Sequence, residues 1–136
     1  MKNHFFIMKK LKGIAVIFFA LFLVSFRPYF NIDDVATAIR SGNVNQLSGY
    51  LDNRVDITLP DKSDTYSKTQ AEMVIRDFFL NNGVQNFQVR HKGENAGSEF
   101  CIGILKTRNG DYQTMLFMKL KGDRQWLQEL RFQPAQ

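Results

Sequence analysis

Histidine is the side chain best suited to acid–base chemistry near neutral pH, and the chain has two, His4 and His91. His4 lies in a basic and apolar N-terminal stretch, so the two cannot serve one folded site. His91 follows Phe87 and Val89 at a spacing of two, which on a strand places all three side chains on one face. The pattern therefore predicts an inward His91, either as a candidate catalytic base or as a buried histidine bonded to the backbone or to Glu94.

Four polar side chains on or beside predicted strands are candidate ligand-binding groups: His91 itself, Tyr66, Tyr112 and Arg131. Tyr66 also precedes a helix-capping sequence, a position from which a ring packs on the start of the helix. Arg131 is flanked by apolar residues, and we expect it to form a cross-strand ion pair with Glu99, Asp111 or Glu129.

The familiar sequence signatures of enzymes are missing. There is no GxxxxGK[ST] or GxGxxG phosphate-binding loop, no CxxC or HExxH metal motif, and no GxSxG nucleophile elbow. Cys101 is the only cysteine, which excludes an internal disulfide, and its strand-like surroundings are typical of a small buried hydrophobic residue. We therefore expect neither a metal site nor a cofactor.

Three helices can be placed from their apolar spacing and their caps. Asn31 is a plausible N-cap for a first helix, in which Ile32, Val35, Ala36 and Ile39 share one face. A second short helix is expected over residues 44–51. Residues 67–70 form a capping box that opens the longest helix, which runs to about residue 81 before an Asn-Asn-Gly stop.

The remaining patterns indicate strands. Residues 54–60 alternate between polar and apolar types, and residues 61–65 are expected to form a turn. After residue 83 the period changes to two for the rest of the chain, with turns at 93–97, at Asn109-Gly110 and at Gly122-Asp123. The order helix, helix, strand, helix and four strands joined by short turns predicts an α+β domain with an antiparallel sheet.

Charge is distributed unevenly between the N-terminal segment and the rest. The first 27 residues hold five Lys or Arg and no acid. Residues 14–26 within this segment form an apolar run of 13 residues. This pattern predicts a signal peptide or an N-terminal membrane anchor over 1–27, ahead of a single domain over 28–136. That domain has 13 basic and 13 acidic residues, so its neutral balance argues against nucleic-acid binding.

The chain resembles the domain of unknown function 4783 family, small exported proteins of Bacteroidetes, within the nuclear-transport-factor-2-like or cystatin-like superfamily. The likeness is carried by residues 38–43, 66–72, 78–79, 91–93, 102–105 and 130–131. The resemblance implies a cone in which a curved antiparallel sheet wraps around a long helix, with two short N-terminal helices. It implies no activity and supplies no catalytic residue.

Three functions remain open from the sequence. The first is a non-catalytic module of the cell envelope that binds a small molecule or an envelope protein, with a homodimer through the sheet as one form. The second, by analogy with isomerases and dehydratases of this fold, is a cavity enzyme with His91 as its base. The third is a membrane-tethered assembly subunit. All three functions imply export: the protein is in the periplasm, anchored in the inner membrane and facing the periplasm, or secreted. Membrane contact is expected only through the N-terminal segment.

Overall fold

The computed structural model describes residues 31–135, and the predicted signal peptide or anchor lies outside them. It contains three helices, which we number α1 (Ile32–Arg40), α2 (Val44–Ser48) and α3 (Lys68–Asn82). The two longer helices begin with capping boxes, Asn31 with Asp34 and Ser67 with Gln70, as the sequence predicted for the second. Among the described residues, no helix is both long enough and apolar enough to span a bilayer.

Six strands form one curved sheet in the order β2-β1-β6-β5-β4-β3. Their bounds are β1 (Leu51–Thr58), β2 (Ser63–Ser67), β3 (Val84–Asn95), β4 (Ser98–Thr107), β5 (Gly110–Lys121) and β6 (Arg124–Pro134). The four C-terminal strands form the antiparallel meander that the sequence predicted. The pair β1 and β6 is parallel, a pairing that the sequence analysis did not predict.

Two further expectations are corrected near the N-terminal strands. The segment expected to be a turn contains β2, which pairs antiparallel with β1 although its residues 63–65 are all polar. An exposed edge strand needs no apolar face, so hydrophobic periodicity does not reveal it. The second helix ends at Ser48 instead of residue 51, because Leu51 already pairs with Leu127 in the sheet.

The turn between β5 and β6 lies at Gly122-Asp123 as predicted, and the other two turns differ from the prediction. The turn between β3 and β4 consists of Ala96 and Gly97 alone, both with positive φ, as a two-residue hairpin turn requires. The turn between β4 and β5 uses Arg108 and Asn109, with Gly110 at φ 117° as the first residue of β5. The sequence thus located these hairpins and misplaced their turn residues by one to three positions.

The hydrophobic core lies between the helices and one face of the sheet, which we call the inner face. In β4 the buried residues Cys101, Gly103 and Leu105 alternate with the partly exposed Phe100, Ile102 and Ile104, which lie on the opposite, outer face. The helices contribute apolar side chains that are almost fully buried: Ile32, Val35, Ala36, Ala38, Ile39, Val44, Leu47, Ala71, Ile75, Phe78 and Phe79. This two-layer arrangement decides which side chains can reach a common site.

Candidate functional site

Aromatic side chains fill the space between α3 and the inner face of the sheet. The ring of Phe78 lies 4.8 Å from that of Phe132 and 5.1 Å from that of Tyr112, and Phe79 meets Phe132 edge-on at 6.2 Å. The Tyr112 hydroxyl donates to Asn82 Oδ1 at 2.8 Å. Tyr112, a candidate ligand-binding group in the sequence, is therefore part of the packed interior and holds the C-terminal end of α3.

His91 lies on the outer face and is exposed, so the prediction that it points inward was wrong. The cause is a β-bulge: Val89 pairs with Gly103 while His91 pairs with Ile102, which leaves Arg90 as an extra residue. One inserted residue turns every later side chain of the strand to the other face. A hydrogen bond from His91 to Glu94 or to the backbone is not found among the described residues.

The bulge brings Lys92 to the inner side in place of His91. Lys92 pairs with Cys101, and its Nζ donates to Asp33 Oδ1 of α1 at 2.8 Å. That hydrogen bond and the attraction of the carboxylate raise the pKa of Lys92. Burial raises the pKa of the Cys101 thiol to about 11, which keeps it neutral and unreactive at physiological pH. The prediction of a buried, structural cysteine is confirmed.

The two other candidate side chains also have structural partners. Tyr66 pairs with Val55 across β2 and β1 and packs against the core. Arg131 donates from Nη2 to Glu129 Oε1 at 2.9 Å. The expected ion pair with Glu129 is present, but it joins two residues of one strand instead of crossing strands.

The four sequence candidates do not form a common site. On the outer face, His91, Ile102, Met115 and Arg131 follow one another across four adjacent strands. Three strand spacings separate the first from the last, which is about 14 Å. Tyr66 and Tyr112 pack against the core on the opposite side of the sheet.

An apolar patch on the outer face was missed by the sequence analysis. It consists of side chains from β4 and β5 that remain partly exposed: Phe100, Ile102, Ile104, Met115 and Phe117. Cross-strand pairs connect them, Phe100 with Phe117 and Ile102 with Met115. The available signal was that residues 100–105 are apolar or glycine on both faces, which is more than a half-solvated strand needs.

A polar pocket of about 420 Å³ opens where β1 and β6 lose their register. Between Leu51 and Asp56, four residues of β1 face the single residue Gln128 of β6. Asp52 lies at the base of this pocket and is 6% exposed. Its carboxylate accepts hydrogen bonds from the Asn53 backbone, from Gln128 Nε2 at 2.9 Å and from Lys121 Nζ at 3.1 Å. We call this the bulge pocket.

The sequence matches the model of a known protein family. The model of the family "Domain of unknown function (DUF4783)" matches residues 32–133. The chain belongs to this family. A DUF4783 protein of Bacteroides uniformis is 32% identical, with a TM-score of 0.75, over 78% of this chain and 99% of its own. A second, from Bacteroides ovatus, is 29% identical with a TM-score of 0.73, over 76% and 94%.

The DUF4783 chain shares its fold with more distant proteins. An NTF2-like protein of unknown function from Cytophaga hutchinsonii is 9% identical with a TM-score of 0.57, over 76% of this chain and 86% of its own. The α+β, NTF2-like fold that the sequence predicted is confirmed. No curated protein is significantly similar to the chain. Within residues 31–135, no group of three or more His, Cys, Asp and Glu side chains is arranged to hold a metal ion.

Proposed function

We propose that this DUF4783 protein is a non-catalytic interaction module of the cell envelope, and that it pairs with a second copy of itself through the outer face. The observation that carries the proposal is the contrast between the two sides of the sheet. The interior, where enzymes of this architecture would hold a substrate, is occupied by the rings of Phe78, Phe79, Phe132 and Tyr112. The outer face instead presents the apolar patch.

The side chains considered for catalysis do not support an enzyme. His91 is exposed and separated from the interior by the sheet, and within residues 31–135 no group orients its ring. A general base needs such an orienting partner and a substrate position within hydrogen-bond reach. The Cys101 thiol is buried with its pKa raised to about 11. These features favour binding over turnover.

The position of the apolar patch favours a second copy as the partner. The centre of the patch is the cross-strand pair Ile102–Met115. A two-fold axis that lies between two copies over this pair, parallel to the strands, places each patch on the patch of the other copy. Such a contact buries the apolar side chains of both copies.

The oligomeric state of the purified chain tests this proposal. Size-exclusion chromatography with light scattering is expected to give twice the monomer mass at micromolar concentration. Ile102→Glu should give the monomer mass, because it places a charge at the centre of the patch. Leu80→Glu, at a helix position that is 73% exposed, is the matched control and should remain dimeric.

A monomeric parent chain would contradict the proposal, as would a dimer that Ile102→Glu leaves intact.

Export is the second part of the proposal and rests on residues 1–27. Their lysines and the 13-residue apolar run at 14–26 are the pattern of an export signal. A reporter enzyme that is active only in the periplasm, fused after Gln136, is expected to be active. Replacing three residues of this apolar run by Asp should abolish that activity. Activity of a reporter that works only in the cytoplasm would contradict export.

A further inference from the structure

The bulge pocket combines an unused cation with an incompletely used anion on one strand. Arg54 and Asp56 both point to the outer side of β1, since they alternate with the fully buried Val55. Their Cα atoms are about 7 Å apart at ordinary strand spacing. Asp56 accepts from the Thr65 hydroxyl through Oδ1, which leaves Oδ2 available. Within residues 31–135, the Arg54 side chain makes no hydrogen bond or ion pair.

The base of the pocket is already neutralised and rigid. Asp52 and Lys121 form an ion pair at 3.1 Å, and Gln128 adds a third group to the same carboxylate. Because these three side chains satisfy one another there, the base presents a polar surface and not a free charge. Together with Arg54 and Asp56, the pocket holds two carboxylates and two cations, so its formal charge is zero.

A neutral pocket with a separate cation and anion matches a zwitterion. A lone carboxylate or a lone amine would satisfy one of the two free groups and leave a net charge behind, whereas an α-amino acid satisfies both. Asn53 adds an exposed side-chain amide, and within the described residues this amide has no hydrogen-bond partner. The amide of a ligand can pair with it. The volume of about 420 Å³ is within the usual range for small-molecule sites.

We infer that the bulge pocket binds a polar α-amino acid, with the ligand carboxylate on Arg54 and its ammonium group on Asp56. This site is independent of the proposed dimer, because the apolar patch lies on β4 and β5. β-bulges are concentrated near functional sites, and here the extra residues of β1 form the wall that carries Arg54.

The test is calorimetric titration of the purified chain with L-glutamine and its two incomplete analogues. L-Glutamine is expected to bind at least tenfold more tightly than glutaramate, which lacks the ammonium group, and 4-aminobutanamide, which lacks the carboxylate. Arg54→Gln and Asp56→Asn should each weaken binding by at least tenfold. Lys119→Gln, at an exposed position of β5 outside the pocket, is the control and should bind like the parent.

Three results would overturn the inference: no heat of binding with L-glutamine at millimolar concentration, equal affinity for the analogues, or equal loss in the Lys119→Gln control. Circular dichroism of the variants checks that the fold survives, and since all three positions are exposed, unfolded variants would also count against the assignment. The oligomeric state is measured in the same samples, so failure of the pocket and failure of the dimer are distinguished.

Discussion

At the scale of single residues, the ring cluster beneath α3 stabilises the fold by burying large apolar side chains. Phe78 and Phe79 are 8% and 5% exposed, and both contact Phe132. Burying a phenylalanine side chain is worth about 2–3 kcal/mol, and removing it leaves a cavity that adds to the loss.

We expect Phe78→Ala and Phe79→Ala each to lower the free energy of unfolding by roughly 3–5 kcal/mol. Leu80→Ala is the control on the same helix, and it should change stability by less than about 0.5 kcal/mol because its side chain is already in solvent. Urea unfolding followed by circular dichroism measures the free energy of unfolding of each variant. Equal midpoints for Phe78→Ala and the parent would show that the ring is not in the core.

Asp52 links stability to pH. Burial on its own raises the pKa of this carboxyl, but the hydrogen bonds from Gln128, from the Asn53 backbone and from Lys121 outweigh burial and hold the pKa below 3.8. A folded pKa below the unfolded one stabilises the fold at pH values above 3.8. This contribution is lost as the pH falls through the folded pKa.

Urea unfolding at a series of pH values tests this linkage. We expect the parent to lose stability more steeply than Asp52→Asn as the pH drops below 3.8. Asp123→Asn, at an exposed turn, is the control and should keep the steep acid limb. Parallel curves of unfolding free energy against pH for the parent and Asp52→Asn would mean that Asp52 does not contribute to the loss of stability in acid.

At the scale of elements, glycine at the centre of β4 lets two strands approach. A Cβ at Gly103 would lie 2.6 Å from the Gln88 carbonyl oxygen and 2.7 Å from the Phe87 ring. Both contacts are too short to exist, so the strands or the ring must move. Gly103 therefore makes room for the Phe87 side chain on the inner face.

Gly103→Ala is expected to lower the free energy of unfolding by about 1–3 kcal/mol. Gly49→Ala is the matched control, since its Cβ would meet nothing closer than 3.4 Å and its φ of −64° suits any residue. That variant should be as stable as the parent or slightly more stable. Thermal melts of the two variants are compared, and a lower midpoint for Gly49→Ala than for Gly103→Ala would contradict the assignment.

Elements also show what the sequence determines and what it hides. The capping box and the apolar stripe of α3 and the period-two strands are local signals, and each predicted its element correctly. The bulge at Arg90 is not local, because only the partner strand reveals the extra residue, and this error moved His91 to the wrong face. The bulge pocket was hidden for the same reason: Asp52 meets Lys121 and Gln128 across strands about 70 residues distant.

At the scale of the whole molecule, the charge balance predicts that the domain does not bind nucleic acids. Residues 28–136 hold 13 basic and 13 acidic side chains, so the domain has no field that concentrates phosphates. We expect no salt-dependent binding of this fragment to duplex or single-stranded DNA in fluorescence anisotropy. Sub-micromolar binding that weakens with salt would overturn this expectation. The full chain serves as a comparison, because its first 27 residues add five positive charges.

The parallel pairing of β1 with β6 has a consequence for the time at which the chain can fold. β1 lies between β2 and β6, and β6 is the last strand in the chain, so the centre of the sheet depends on contacts across more than 70 residues. Such distant pairings make folding slow. While residues 124–134 are still on the ribosome, β1 and its hairpin partner β2 have no sheet to join. β1 and β2 can therefore reach their native place in the sheet only after β6 has been synthesised.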